Sequence, residues 1–243
     1  MNTAGRLIGV GVGPGDPELL TLKAVRALEG ADVVAYFAKA GNSSNARNIA
    51  AKFLRSGTIE LPLLYPVTTE VPKAENGYQQ MTREFFDAAA LSIAAHIEAG
   101  RAVAVLSEGD PLFFGSYMHI HVRLSKRFST EVVPGITAMS GCWSAAGLPI
   151  TQGDDVLTVL PGTLDFAQLV QRLRQNDPTV VMKLGRNLPK VRQALIETGR
   201  LSSAIYVERG TMQNERLMPL AEKQDDSAPY FAIVLVAGGW WRP

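Results

Sequence analysis

Three short turns contain the residues of this chain that are best suited to bind a small molecule. The first runs from Gly9 to Pro17 and holds four glycines and two prolines; the second, at 109–111, repeats its Gly-Asp-Pro. The third is the Pro-Gly pair at 134–135. Because glycine lacks a Cβ, the backbone at such turns can approach a ligand closely. Each turn follows an apolar run, so the spacing predicts one small-molecule site at the ends of parallel strands.

Two polar side chains accompany the second and third turns. The Asp110 carboxylate follows an apolar run, where it can accept a hydrogen bond from a ligand hydroxyl or amine. Thr137 offers a hydroxyl where a helix rich in small residues is predicted to begin. Aspartate and threonine are also favoured N-caps of helices, so each side chain has a structural interpretation beside the binding one.

The glycine pattern does not match the common phosphate-binding loops. A G-x-G-x-x-G pattern that starts at Gly9 meets Pro14 at its last position, and one that starts at Gly11 meets Asp16. No Gly-Lys-Ser/Thr follows, so a Walker A loop is also excluded. These mismatches argue against NAD and ATP. The density of glycine and proline still exceeds what a strand-to-helix connection needs, which favours a binding loop of another kind.

Residue types that mark nucleophiles and metal sites are scarce. The one cysteine, Cys142, cannot form a disulfide within the chain, and we interpret it as a core residue of a protein in a reducing compartment. No Gly-x-Ser-x-Gly elbow occurs. His119 and His121 are two positions apart and diverge on a helix, so we predict no metal site.

The composition is that of a globular protein, and it argues against nucleic acids and membranes as partners. Of 243 residues, 47% are hydrophobic and 19% are charged, which suits one large or two modest domains. The net charge of +1 argues against nucleic-acid binding. Neither a secretory signal nor an apolar stretch of membrane-spanning length is evident. We therefore expect a cytoplasmic protein that acts on a small molecule, without a membrane partner.

Strand-like and helix-like segments alternate along the chain, which predicts two α/β domains with mixed, mostly parallel sheets. We place these domains at 1–125, which includes the glycine-rich turn, and 126–243. Little helix separates the last strands, so the end of the second domain is expected to be antiparallel. The predicted extended segments are 6–12, 32–36, 61–70, 102–106, 130–133, 156–160, 179–183, 204–208 and 230–237. The predicted helices are 22–28, 46–54, 78–99, 115–126, 137–146, 164–174 and 188–197.

Taken together, the motifs resemble those of the tetrapyrrole (corrin/porphyrin) methyltransferases, the class III enzymes that depend on S-adenosylmethionine. The resemblance extends over nearly the whole chain. The stretches that carry it are 11–17, 21–24, 108–111, 133–138 and 182–185. Within the family, the chain is most similar to the branch that methylates C20 of precorrin-2, giving precorrin-3A in cobalamin biosynthesis. That similarity is carried by 31–36, 64–66, 106–115, 159–163, 183–187 and 206–211.

Three alternatives remain open. The cobalt-factor II C20-methyltransferases of the anaerobic route perform the same transfer on a metallated ring, and no residue separates the two branches. The uroporphyrinogen III methyltransferases tend to carry Lys-Gly-Gly-Asp-Pro at the second turn and an aspartate after the second strand. This chain has Ser107, Glu108 and Gly109 at the first of those places and Phe37 at the second. Finally, a non-catalytic module could bind a ligand at the glycine turns without turnover.

The resemblance implies a two-domain homodimer in which S-adenosylmethionine binds in a cleft between the domains and leaves as S-adenosylhomocysteine. Pro14 would lie against the donor, and Phe113 would lie beside its sugar and amino-acid parts. Thr137 and Ala138 would line its methionine portion. The residues expected to contact the sugar and amino-acid parts are Glu108, Gly109 and Asp110, and those expected to give backbone contacts to the adenine are Leu184 and Gly210.

The implied reaction places two further demands on the chain. The electron-rich C20 attacks the activated methyl group, so the protein must orient the reactants, exclude water and accept a proton from C20. The candidate proton acceptors are Asp16, Glu108, Tyr117 and Glu208. The substrate carries several carboxylates, which favour basic partners, arginine above all. The candidate partners are Arg47, Arg123, Lys183, Arg186 and Arg209.

Overall fold

The computed structural model describes residues 5–66 and 77–238, and the chain divides into two compact units between Thr137 and Ala138. The division lies later than the boundary expected after residue 125. The strand Ser129–Val133 pairs in parallel with the first strand of the chain, and so it belongs to the sheet of the first unit. Part of the predicted extended segment 61–70, from residue 67 onward, lies outside the described residues.

The first unit contains a five-stranded sheet in the order β3-β2-β4-β1-β5, and all four strand pairings are parallel. Its strands are β1 (Arg6–Gly11), β2 (Val33–Lys39), β3 (Ile59–Tyr65), β4 (Ala102–Ser107) and β5 (Ser129–Val133). Its helices are α1 (Leu22–Glu29), α2 (Asn45–Ala50), α3 (Tyr78–Glu98) and α4 (Tyr117–Leu124). Pro62 is accommodated in β3 because that strand lies at the edge of the sheet.

The strands of this sheet are apolar on both faces, which explains their continuous hydrophobic runs. Leu7 packs in one core cluster with residues of α3 and α4, whereas the next residue, Ile8, packs in another with residues of α1 and α2. The same alternation occurs along β4, between Val103 and Ala104. Successive side chains of a strand point to opposite faces, so helices cover both sides of the sheet, as parallel sheets require.

The second unit contains a mixed sheet in the order β6-β7-β10-β8-β9, in which only β6 and β7 pair in parallel. Its strands are β6 (Thr158–Pro161), β7 (Thr179–Met182), β8 (Ala204–Glu208), β9 (Arg216–Pro219) and β10 (Ala232–Val236). Its helices are α5 (Ala138–Ala145), α6 (Phe166–Leu173) and α7 (Leu188–Glu197). The α/β fold class and the antiparallel end are thereby confirmed. The sequence did not predict β9, a short edge strand whose residues are mostly exposed and lack an apolar alternation.

Helix starts follow local capping signals. Asp16 and Thr21 cap two successive helical segments. Asp16 accepts a hydrogen bond from the Glu18 N–H at 2.8 Å and begins a short 3₁₀ turn, and Thr21 then caps α1 by accepting from the Ala24 N–H at 3.0 Å. Within residues 5–66 and 77–238, no helix has the length and apolar character needed to cross a membrane.

The strand directions determine which loops lie together. In the first unit β4 and β5 both run parallel to β1, so the turns that follow these three strands lie at the same edge of the sheet. In the second unit β7 and β8 are each antiparallel to β10, so they run in the same direction as one another. The carboxyl ends of β7 and β8 therefore share one edge of the second sheet, and β6 ends there too.

Candidate functional site

The three turns of the first unit meet through their backbones. The Gly109 N–H donates to the Gly13 carbonyl at 2.8 Å, which joins the second turn to the first. A Cβ added to Gly135 would lie 2.1 Å from the Gly109 carbonyl oxygen, and one added to Gly11 would lie 2.6 Å from the Gly135 nitrogen. Such contacts exclude any side chain. The turns therefore converge at one edge of the sheet, as the sequence predicts.

Asp110 connects the second turn to the third. One carboxylate oxygen accepts the Leu112 N–H at 2.9 Å, and the other accepts the Gly135 N–H at 3.1 Å. Hydrogen bonds from backbone N–H groups to a carboxylate are strong and directional. We call the meeting point of the three turns, at Gly11, Gly109 and Gly135, the glycine junction. Asp110 has a structural role there, because it links the second turn to the third. A direct contact with a ligand remains a prediction.

Three other predicted donor contacts lie at or beside this junction. Pro14 is buried next to Gly13 in the first turn. Phe113 follows the second turn, is half-buried, and packs against the ring of Phe114 with centroids 4.9 Å apart. Thr137, half-buried, ends the third turn and directly precedes Ala138, the first residue of α5. The first unit therefore brings together most of the residues expected to hold the donor.

Glu108 occupies the electrostatic environment that a proton acceptor needs. Part of its surface reaches solvent, yet protein atoms surround the carboxyl group, and this burial raises its pKa above the ordinary value of 4.5. Hydrogen bonds from its own N–H and from the Ala46 N–H lower the pKa but do not offset the burial. A carboxylate with a raised pKa is a stronger base, as general-base catalysis requires.

The raised pKa predicts a pH-dependent stability effect of Glu108→Gln. The folded state binds the proton of Glu108 more tightly than the unfolded state, so stability falls as the pH rises above 4.5 and the carboxyl ionises. We expect Glu108→Gln to raise the midpoint of thermal unfolding at pH 7, with a smaller difference at pH 4. Glu98→Gln, an exposed control, should change the midpoint little at either pH. Equal shifts for Glu108→Gln at the two pH values would contradict the assignment.

Tyr117 is a core residue whose ring lies so close to the backbone at Gly9 that no side chain fits there. The side chain is fully buried, and a Cβ on Gly9 would lie 2.4 Å from the ring. Its hydroxyl lies 3.3 Å from Nδ1 of His121. Burial raises the pKa of Tyr117 to about 12, so the phenol is protonated at neutral pH. This environment disfavours Tyr117 as the acceptor of the C20 proton.

Tyr117→Phe separates the two interpretations of this residue. The variant keeps the ring that packs on Gly9 and removes only the hydroxyl, so we expect kcat to stay within about threefold and stability to fall by about 1 kcal/mol. A general base would contribute roughly 10²–10⁴-fold to the rate. The measurements are kcat for methyl transfer at saturating substrates and the midpoint of thermal unfolding. A loss of kcat of a hundredfold or more in a stably folded Tyr117→Phe would restore Tyr117 as the proton acceptor.

Glu208 is a buried carboxylate whose oxygens are already engaged. Its residue is 5% exposed; one oxygen accepts from the Tyr206 hydroxyl at 3.0 Å, and the other forms a short ion pair with Arg209. The Arg216 guanidinium lies 3.9 Å from the oxygen that Tyr206 contacts. Both carboxylate oxygens of Glu208 are therefore engaged by neighbouring side chains. The arrangement favours a structural role over proton transfer.

The predicted adenine contacts of the second unit lie in turns after β7 and β8. Leu184 is fully buried between Lys183, with φ of 56°, and Gly185, with φ of 41°. Gly210 follows β8, and a Cβ there would lie 2.7 Å from the Cys142 sulfur. A side chain at position 210 would collide with Cys142, which explains the glycine there.

The thiol of Cys142 behaves as expected from the sequence. It is 6% exposed, and burial raises its pKa to about 12, so it remains protonated and unreactive at neutral pH. It packs in a hydrophobic cluster with residues of β7, β8 and β10. The interpretation of Cys142 as a core residue is confirmed.

Two of the candidate carboxylate partners already hold acidic side chains. Arg47 forms a two-point contact with Glu60, with nitrogen–oxygen distances of 3.0 and 2.7 Å. Arg123 donates to Asp87 at 2.7 Å. A guanidinium engaged in this way has fewer donors for a substrate, so these contacts weaken the case for both arginines.

The remaining candidates lie in the second unit. Lys183 and Arg186 are exposed in the turn after β7, and Arg209 is half-buried against Glu208. They therefore occur at the edge where β7 and β8 end. Tyr206 and Arg216 also contact or approach Glu208, although neither was predicted as a site residue. The two-residue period of a strand, which places Tyr206 and Glu208 on one face of β8, is a signal that could have indicated Tyr206.

Two negative findings delimit the site. Among residues 5–66 and 77–238, no group of three histidine, cysteine, aspartate or glutamate side chains is placed to hold a metal ion. A cavity of about 310 Å³ in the first unit lies at the opposite edge, where β2, β3 and β4 begin, and is lined by residues that include Arg55 and Arg101. This cavity is not part of the glycine junction.

Comparison with known proteins places the chain in a family. The family model described as Tetrapyrrole (Corrin/Porphyrin) Methylases matches residues 6–224. A precorrin-2 C(20)-methyltransferase of Sinorhizobium sp is 63% identical over 239 residues, which cover 98% of each chain. A cobalt-precorrin-2 C(20)-methyltransferase of Salmonella typhimurium is 28% identical and covers 97% of this chain and 98% of its own.

A solved structure supports the same placement. The uroporphyrin-III C-methyltransferase of Thermus thermophilus, determined as a complex with S-adenosyl homocysteine, matches this chain with a TM-score of 0.66 and 26% identity. The match covers 96% of this chain and 97% of the other. The family model, the relatives that match over nearly their full length and the shared fold agree with one another. The chain belongs to the tetrapyrrole (corrin/porphyrin) methylase family.

Proposed function

We propose that this protein transfers a methyl group from S-adenosylmethionine to C20 of precorrin-2, giving precorrin-3A, a step of cobalamin biosynthesis. The observation that carries the proposal is the 63% identity, over 98% of both chains, with a relative named for that activity. The relative named for the cobalt-containing substrate is only 28% identical over a similar length. The difference supports the metal-free ring as the substrate.

The glycine junction supports the proposed donor site. S-adenosylmethionine supplies, when bound, an activated methyl group on a sulfonium. Glycines let the three turns approach one another closely, and without Cβ atoms there a ligand can come near the backbone at the ends of the strands. The proposed contacts in the first unit are Pro14, Glu108, Gly109, Asp110, Phe113 and Thr137. Those in the second unit are Ala138, Leu184 and Gly210.

Glu108 is the proposed acceptor of the C20 proton. Transfer forms a carbon–carbon bond at C20, releases S-adenosylhomocysteine and requires C20 to lose a proton. Of the four candidates, Tyr117 and Glu208 have environments that disfavour this task, and Asp16 caps the 3₁₀ turn. Burial raises the pKa of Glu108, which makes it a stronger base than an exposed glutamate. A kcat loss in Asp16→Asn that exceeds that of Glu108→Gln would reverse this assignment.

Lys183 and Arg186 are the proposed partners of the substrate carboxylates. Both are exposed at the edge of the second sheet where β7 ends. We expect Arg186→Ala to raise KM for precorrin-2 about fivefold to tenfold, because an arginine–carboxylate contact is lost, with a smaller change in kcat. Steady-state kinetics at saturating donor measure both quantities. Arg172→Ala, which removes an exposed arginine of α6, is the control, and an unchanged KM in Arg186→Ala would exclude Arg186.

The assembly and cellular compartment are proposed from the family resemblance and the composition. We propose a homodimer in the cytoplasm. Sedimentation velocity at micromolar concentration tests the dimer directly. A species of 26.2 kDa that does not change with concentration would contradict it.

Methyl transfer with a located product tests the function. The protein is incubated with ¹³C-methyl-labelled S-adenosylmethionine and precorrin-2, and NMR locates the new methyl carbon. The proposal expects one labelled methyl at C20. Parallel reactions contain cobalt-precorrin-2 or uroporphyrinogen III, and a strong preference for either would overturn the substrate assignment. Binding of S-adenosylhomocysteine without methyl transfer to any of the three would favour a non-catalytic module.

A further inference from the structure

The turn after β8 adopts a conformation that its residues disfavour. Arg209 has φ of 51° and Thr211 has φ of 72°, on either side of Gly210. Residues with a Cβ pay a steric cost in this left-handed region, and threonine is β-branched, which makes the conformation rarer still. Such geometry persists only where surrounding contacts enforce it, and it concentrates at functional sites.

Specific contacts enforce the turn at both ends. The Arg209 N–H donates to the Phe231 carbonyl at 2.8 Å, and the Thr211 N–H donates to a carboxylate oxygen of Glu215 at 2.6 Å. The Arg209 guanidinium forms its ion pair with Glu208, the residue immediately before it. The turn is therefore held by a hydrogen bond to the Phe231 backbone, a hydrogen bond to the Glu215 carboxylate and the ion pair with Glu208 of β8.

Glu208 is the buried end of that charged contact. A carboxylate that is 5% exposed needs partners, because an unpaired buried charge is strongly destabilising. Tyr206, which is fully buried two residues earlier on the same face of β8, supplies a hydroxyl hydrogen bond at 3.0 Å. Arg209 and, more distantly, Arg216 supply the positive charge. Glu208, itself held by Tyr206, thus anchors Arg209 to β8.

A second strained turn lies at the same edge of the second sheet. Lys183, directly after β7, is also left-handed, with φ of 56°. Since β7 and β8 run in the same direction, two turns with non-glycine residues in the left-handed region occur at one edge of one sheet. They contain Leu184 and Gly210, the two residues proposed to contact the adenine. The strain therefore coincides with the proposed donor contacts of this unit.

We propose that Glu208 is a positioning residue: its carboxylate anchors Arg209 and so fixes the 209–211 turn in the conformation that presents the Gly210 backbone to the donor. This inference rests on the proposed function and assigns Glu208 a role other than accepting the C20 proton. A positioning role acts on donor affinity, whereas a proton-accepting role acts on kcat. The two roles therefore predict opposite patterns in the same variant.

The test compares Glu208→Gln with Glu208→Ala in the full chain. The Kd of S-adenosylhomocysteine is measured by calorimetry, and kcat for precorrin-2 is measured at saturating donor. We expect Glu208→Gln, which keeps an acceptor for Tyr206, to raise Kd about threefold to tenfold while kcat stays within about twofold. Glu208→Ala should raise Kd further, by roughly tenfold or more. Tyr206→Phe, which keeps the buried ring, should produce a smaller rise than Glu208→Ala.

Controls separate this proposal from its alternatives. Glu197→Gln removes an exposed carboxylate of the second unit and should leave Kd unchanged. If Glu208→Gln loses kcat by about a hundredfold with an unchanged Kd, Glu208 is the proton acceptor and the proposal is overturned. An unchanged Kd and an unchanged kcat also overturn it. Where Glu208→Ala does not fold, Glu208→Gln decides. Wild-type protein that binds no S-adenosylhomocysteine would refute the proposed function itself, which the wild-type measurement reveals before any variant is compared.

Discussion

Gly135→Ala is expected to abolish most methyl transfer and to destabilise the first unit. The added Cβ would lie 2.1 Å from the Gly109 carbonyl oxygen and 2.9 Å from the Gly11 Cα, both backbone atoms that cannot rotate away. The turns must separate to admit the methyl group. Overpacking of this kind costs about 1–3 kcal/mol, and a displacement of about 1 Å at reacting groups can cost roughly a hundredfold in rate. The measurements are thermal unfolding, the Kd of S-adenosylhomocysteine, and kcat.

Gly147→Ala is the matched control for this substitution. Gly147 has φ of 58° with nothing within 4 Å of an added Cβ, so alanine there meets conformational strain but no steric contact. We expect a loss of stability of about 1 kcal/mol and an unchanged Kd for S-adenosylhomocysteine. Donor affinity that is equal in Gly135→Ala and wild type would show that the glycine junction does not bind the donor.

Arg200→Met is expected to lower the stability of the second unit by about 2–4 kcal/mol without a direct effect on donor chemistry. Arg200 is 5% exposed, and its guanidinium donates to the Asp177 carbonyl at 2.7 Å and to the Thr179 hydroxyl at 3.2 Å. It thereby ties the segment after α7 to the start of β7. Methionine fills a similar volume but leaves these acceptors without their donor.

Chemical denaturation measures the effect of Arg200→Met, and an exposed arginine supplies the comparison. Arg174 lies 3.2 Å from Glu197, and both side chains are at least half exposed, so Arg174→Ala should change stability by less than about 0.5 kcal/mol. A loss in Arg200→Met no larger than that of Arg174→Ala would mean that the buried contacts contribute little net stability. In that case the desolvation of the guanidinium offsets its hydrogen bonds.

The secondary structure and the binding turns could be predicted because their signals are local. Apolar runs with strand-like composition located β4 and β8, and the glycine turns marked the places where strands end. Helix α7 was predicted at 188–197, where it occurs. The edge strand β9 could not be found in the same way, because four mostly exposed residues carry no hydrophobic period.

The convergence of the glycine turns was predictable for a further reason. Parallel strands place their carboxyl ends at one edge, so turns that follow β1, β4 and β5 had to lie near one another once the sheet was inferred. Only glycine fits at positions 11 and 135, because the backbones of the three turns lie so close together. These distances join residues far apart in the chain, so a local stretch of sequence does not reveal them. The sequence indicated where small residues occur, and the packing showed why they must be small.

By itself, the sequence determined the α/β class, the family resemblance and the three turns, since each depends on residue types within short windows. Only the tertiary structure showed the environment of each ionisable candidate. Burial and partners distant in the sequence set these environments: Arg47 of α2 forms an ion pair with Glu60 of β3, and the ring of Tyr117 packs on the backbone at Gly9. Glu108 and Glu208 look alike in the sequence, but desolvation raises the pKa of the first, while neighbouring cations and a hydroxyl surround the second.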